Sequence, residues 1–163
     1  MSFFSKDKTL AALSLRNPIH FLALGFGSGL AAIAPGTFGT LAAVPLYLLL
    51  SLLPLSTYVI VTLIVCVAGI YICDKTCRDL GVHDHKAIVW DEVAGYLLTM
   101  LAAPVGWQWP LVGFVLFRFF DIVKPWPIRW LDRNVKGGLG VMADDILAGV
   151  VACLVLQLLV LCF

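Results

Sequence analysis

Residues 117–145 read FRFFDIVKPWPIRWLDRNVKGGLGVMADD, and the rest of the chain is arranged about them. Four acids (Asp121, Asp132, Asp144, Asp145) and five bases (Arg118, Lys124, Arg129, Arg133, Lys136) are packed into this stretch. Uncharged apolar runs lie on either side. Ionised groups close to a bilayer are costly unless they are paired or in use. Carboxylates interleaved with guanidinium and ammonium groups suit a bound cation together with a bound anion, in chemical terms a metal and a phosphate.

Working outward, the 163 residues are 61% hydrophobic and 13% charged, with mean hydropathy +1.00. A soluble domain has about 25% charged and about 45–50% apolar residues. The composition therefore predicts a membrane protein, and the length predicts one domain. The net charge of +1 provides no field for nucleic acid. Residues 1–16 read as a polar cytoplasmic lead without the apolar core of a signal peptide. Five cysteines, mostly inside apolar runs, argue against disulfides. The string Cys73, Cys77, His83, His85 contains zinc-type ligands, but its spacing departs from the common C-x2-C pattern.

All charged residues fall in three blocks, 6–16, 74–92 and 118–145, while the turns near Pro54 and Gly106 carry none. If 41–55, 57–73, 93–105, 109–120 and 146–163 each cross, the three blocks share one side, the cytoplasmic one by the positive-inside rule. The expectation is thus about five membrane helices. Residues 18–34, rich in glycine and closed by Pro35-Gly36, are expected to form an N-terminal re-entrant or interfacial helix. The segments 93–105 and 109–120 fall short of the roughly 20 apolar residues of a full span.

The acids form three clusters: Asp91-Glu92 opening one helix, Asp121 three residues after Arg118 at the end of another, and Asp144-Asp145 opening the last. Singly, each reads first as a helix cap or a boundary ion pair. Together at one level they suit Mg²⁺, which binds through a few carboxylates plus phosphate and water. Asp91, Glu92, Asp121, Asp144 and Asp145 are the candidate metal ligands. Arg118, Lys124 and Arg129 are the phosphate candidates, since basic side chains bind phosphate through charged hydrogen bonds. The stretch GFGSGLAAIAPGTFGT (25–40) offers backbone N–H groups and hydroxyls to an anion, through Ser28, Gly36, Thr37, Gly39 and Thr40. Its first glycines serve equally well for close helix packing. His85 is a candidate proton donor, and His83 reads as a plain loop residue. There is no C-x5-R loop, no DxDx[TV] pair and no G-x-S-x-G elbow, so a metal-activated water is expected in place of a covalent nucleophile.

With these motifs assembled, the chain resembles the phosphatidylglycerophosphatase A family of bacterial membrane enzymes. The likeness runs from about Asn17 to Val151. NPIHFLALGFGSGL (17–30), APGTFGTLAA (34–43), GVHDHKAIVWDEVAGY (81–96) and residues 117–150 carry it. It implies an all-helical fold in the bacterial inner membrane and Mg²⁺-dependent hydrolysis of phosphatidylglycerophosphate at the cytoplasmic face. The acids read above then provide the catalytic set Asp91, Glu92, Asp121 and Asp145, with His85 protonating the leaving oxygen. Two other classes compete. A small transporter or channel would place its charges near the bilayer midplane rather than at one face. A structural subunit would show no metal dependence.

Overall fold

The computed structural model describes residues 10, 12–82 and 84–162. Among them the chain is helical, with no strand: α1 (Pro18–Ala23), a 3-10 segment (Gly25–Leu30), α2 (Pro35–Leu50), α3 (Leu55–Leu80), α4 (Trp90–Thr99), α5 (Gln108–Val123), α6 (Ile128–Asn134) and α7 (Gly137–Cys162). The residues at the ends explain where each helix starts and stops. Asn17 caps α1 by accepting from the Ile19 N–H at 3.0 Å. Pro35 occupies the first turn of α2, where a missing N–H costs nothing. Gly81 closes α3 in the left-handed conformation that glycine enters without penalty. Lys124 adopts the same conformation at the end of α5, and Pro125 follows it.

Two of these helices, α3 and α7, are long and apolar enough to cross a bilayer, at 26 residues each. Only 28% of each apolar window is buried, unlike the core helix of a soluble protein. On α3 the buried residues Tyr58, Thr62, Cys66, Gly69, Cys73 and Thr76 recur every three or four positions, making one packed face. Ile60, Leu63, Ile64, Val67 and Tyr71 point outward.

The count of about five spanning helices is corrected here. The expected crossing 93–105 is the ten-residue α4, about 15 Å long at 1.5 Å per residue. Seven of its ten residues are buried. It is the central strut of the bundle, which is why its sequence is as apolar as a span. The 41–55 and 109–120 segments are the 16-residue helices α2 and α5, about 24 Å each. Residues 18–34 break into α1 and the 3-10 segment, with positive φ at Gly25, Phe26 and Gly27. The last helix starts at Gly137, so Asp144 and Asp145 lie two turns inside it and not at its opening.

Helix packing sets the level of every charged group. A Cβ on Gly149 of α7 would lie 2.4 Å from the Gly95 carbonyl of α4, and Thr99 Oγ1 donates to the Gly95 carbonyl at 2.9 Å. The two backbones therefore touch, and they run in the same direction. On the other side α3 and α7 are antiparallel, with Gly69 against Met142 and Gly138 against Ile70 and Asp74. Phe117 of α5 fills the space beside Gly95 and is fully buried. The result is one bundle end that carries the starts of α2, α4 and α7 and the end of α5. At the opposite end, Tyr47, Tyr58 and Tyr96 stack edge to face with centroids 6.1–6.2 Å apart.

Candidate active site

The Gly95–Phe117–Gly149 layer is the floor on which the site is built. One turn above it stand Asp91 on α4, Asp121 on α5 and Asp145 on α7, each four residues from its floor residue. On a helix, positions four apart share a face. The glycine contact brings α4 and α7 close enough for their acids to meet. Ligand oxygens of Asp91, Glu92 and Asp145 lie within 4.8 Å of one another.

These groups line a cleft of about 560 Å³. Its lining contains seven carboxylates (Asp84, Asp91, Glu92, Asp121, Asp132, Asp144, Asp145) against three cations (Lys86, Arg118, Lys124). Two of the cations are already engaged. Arg118 Nη1 is 2.5 Å from Asp121 Oδ2 and 3.8 Å from Glu92 Oε1. Lys124 Nζ donates to Asp132 Oδ1 at 2.6 Å and to Asp144 Oδ2 at 2.5 Å. The start of α2 closes one wall. A side chain at Gly36 would run into the Glu92 carboxylate, 2.1 Å from Oε1, so the absence of a Cβ lets the helix end approach the acids. First-turn N–H groups lack intrahelical partners and favour negative charge.

The electrostatics follow from crowding. Burial holds the Asp91 carboxyl well above its ordinary range, and the charge of Glu92 beside it pushes the same way. Burial likewise raises Glu92 to about 8, with Asp145 and Asp121 adding to the rise and the Asp91 hydrogen bond and Arg118 opposing it. Burial alone would lower Lys124, but its bonds to Asp132 and Asp144 raise it. Glu92 Oε2 and Asp145 Oδ2 are buried acceptors without a hydrogen-bond partner among the described residues. Unsatisfied buried oxygens on neighbouring carboxylates are the expected sign of a cation-binding set. Asp91, Glu92 and Asp145 therefore fit a divalent ion.

Of the residues singled out by sequence, Asp91, Glu92, Asp121, Asp144, Asp145, Arg118, Lys124 and Gly36 line this cleft. Thr37 lies in the first turn of α2, and Thr40 is buried with its hydroxyl bonded to the Gly36 carbonyl at 3.0 Å. Arg129 is exposed on α6, outside the lining. His85 is buried and its Nδ1 accepts the Ala87 N–H at 3.1 Å, also outside the lining. His83 lies outside the described residues.

The glycine stretch has a second use. Cβ atoms at Gly25 and Gly39 would strike Val89, and one at Gly29 would lie 2.1 Å from the Ala87 carbonyl. Ser28 bonds the Gly25 carbonyl. These residues hold the 85–89 segment against the bundle. The sequence reading assigned no site role to Asp84, Lys86 or Asp132, which line the cleft.

Comparison with known proteins is consistent with this geometry. Residues 21–160 match the family model described as phosphatidylglycerophosphatase A. Two relatives named phosphatidylglycerophosphatase A are similar over nearly full length. That of Escherichia coli (strain K12) is 52% identical over 148 residues, covering 90% of this chain and 86% of the relative. That of Haemophilus influenzae is 50% identical over 153 residues, covering 93% and 94%. No solved structure matches the chain. On this footing the chain belongs to the phosphatidylglycerophosphatase A family, and it is an enzyme of the phosphatase class.

Proposed function

We propose that the chain removes the terminal phosphate of phosphatidylglycerophosphate, giving phosphatidylglycerol and inorganic phosphate, with Mg²⁺ held by Asp91, Glu92 and Asp145. The carrying observation is the charge imbalance of the cleft, seven carboxylates against three cations. A phosphate monoester cannot approach such a surface until added positive charge offsets it. Mg²⁺, when bound, provides that charge and acidifies a coordinated water.

The chain's own residues do the rest. Arg118 presents a planar guanidinium to the non-bridging oxygens of the phosphate, and Asp121 fixes its orientation from the next turn of α5. Asp144 and Asp132 aim Lys124 at the same anion. Asp121 and Asp144 thus serve by holding cations, while Asp91, Glu92 and Asp145, whose ligand oxygens lie within 4.8 Å of one another, form the metal set. The first turn of α2 adds backbone donors at Gly36. The leaving oxygen takes its proton from His85, from water or from a carboxyl of the cluster.

The setting follows from the same features. The helices present apolar side chains outward, and the charged end gathers the cytoplasmic-type blocks. We place that end at the cytoplasmic face of a bacterial inner membrane, with α3 and α7 crossing and α4 enclosed among them. Purified protein in detergent should release phosphate from phosphatidylglycerophosphate with Mg²⁺ and stop in excess EDTA. Asp91→Asn should lower turnover by about 10³-fold while leaving the protein folded. Release unaffected by EDTA would remove the metal from this reading, and no release from folded protein would remove the reaction.

A further inference from the structure

The three cations of the cleft are not equivalent. Arg118 and Lys124 are each held by carboxylates. Lys86 is exposed, lines the same cleft, and forms no ion pair with any described residue. Its backbone, by contrast, is fixed on both sides. His85 and Ala87 are buried. The His85 carbonyl accepts the Ile88 N–H at 2.8 Å, and the Val89 N–H reaches the Ala23 carbonyl at 2.8 Å. The His85 ring caps the Ala87 N–H, and Gly29 makes room for the Ala87 carbonyl. With its two neighbours turned inward, Lys86 is turned outward over the cleft.

We propose that Lys86 receives the internal, diester phosphate of the lipid and so discriminates a substrate with two phosphates from one with a single terminal phosphate. The inference rests on the reading just given and names a specificity residue for it. The chemistry suits the two positions. The terminal phosphate is a dianion and needs the metal set with Arg118. The diester is a monoanion with two free oxygens. One flexible ammonium with three donors satisfies it without desolvating the rim. Asp84, two residues before it, also lines the cleft and repels anions. Lys86 offsets that charge where the second phosphate would pass.

The test compares Lys86→Gln with the parent in neutral detergent micelles, using short-chain phosphatidylglycerophosphate, short-chain phosphatidic acid, and inorganic phosphate as a competing product. KM for phosphatidylglycerophosphate should rise about tenfold with kcat nearly unchanged, the loss of one charged hydrogen bond at an exposed site. KM for phosphatidic acid and the inhibition constant of phosphate should stay within about twofold of the parent. Lys86→Arg should restore most of the difference.

An equal rise for all three probes would mean that Lys86 only adds to the field of the cleft, and the proposal fails. An unchanged KM for phosphatidylglycerophosphate also overturns it. If the effect arises only in micelles doped with anionic lipid, Lys86 reads the membrane surface and the diester assignment falls. Parent protein that does not hydrolyse phosphatidylglycerophosphate would instead refute the reading on which this one stands.

Discussion

At the scale of single residues, Glu92 links structure to pH. Its carboxyl is raised by burial to about 8 from an ordinary 4.5. A carboxyl raised on folding loses stability when it ionises. In metal-free protein that loss is absent below about pH 4.5 and complete above about 8. Metal-free protein should therefore melt at progressively lower temperature as pH rises from 5 to 8. Mg²⁺ should recover more of the loss at pH 8 than at pH 6, because a metal competes with the proton for the same oxygens. Glu92→Gln should flatten the pH dependence of the melting temperature and abolish the Mg²⁺ response. A Mg²⁺ response in the variant as large as in the parent would move the metal off Glu92. Arg118 is the companion case. Arg118→Lys keeps the charge but loses the fork, and should still lower kcat about 10²-fold, read in the phosphate-release assay.

Among the elements, the α4–α7 contact decides whether the acids meet. Gly149 faces the Gly95 carbonyl so closely that any Cβ overlaps it. Gly149→Ala must push the helices apart, and a displacement near 1 Å at the acid level costs about 10²-fold in rate. Overpacking should also destabilise the fold by about 1–3 kcal/mol. Both can be measured in one preparation, as phosphate release and as the Mg²⁺-dependent melting shift. Full activity with an intact shift would show that the contact does not set the site. Elements also mark the limit of what the sequence discloses. Acids among apolar residues stood out, because an ion beside such surroundings needs a partner; Asp91, Glu92, Asp121, Asp144 and Asp145 do line one cleft. The start of α7 did not stand out. Gly137-Gly138 reads as a break, yet Gly138 lies where a Cβ would be 2.0 Å from the Ile70 carbonyl, and its N–H is accepted by Asp74 across the bundle. That glycine serves a tertiary contact, invisible to local propensity. Asp84 and Lys86 were hidden for the opposite reason, since exposed charges in a loop are the commonest thing a loop contains.

For the whole molecule, the direction of the two long helices gives a topology that can be tested. α3 runs from the uncharged end toward the acids, and α7 starts beside the acids and runs away from them. The charged end gathers Arg78, Lys86, Arg118, Lys124, Arg129, Arg133 and Lys136, while the turns at 51–54 and 100–107 carry no charge at all. On the setting proposed above, the positive-inside rule puts the basic end inside the cell. The α4 helix does not alter this outcome, because the direction of α7 alone decides where the chain ends. The C-terminus should therefore lie outside the cytoplasm. In intact bacteria expressing the chain, alkaline phosphatase fused after Phe163 should be active and green fluorescent protein at the same place dark. Trp107→Cys, at an exposed position of the uncharged end, should react with a membrane-impermeant maleimide, and Arg133→Cys should react only after the cells are opened. The reverse labelling pattern would put the cleft on the outer face. A cleft there would need to take its lipid from the outer leaflet, and the cytoplasmic assignment would have to be abandoned even if the chemistry survived.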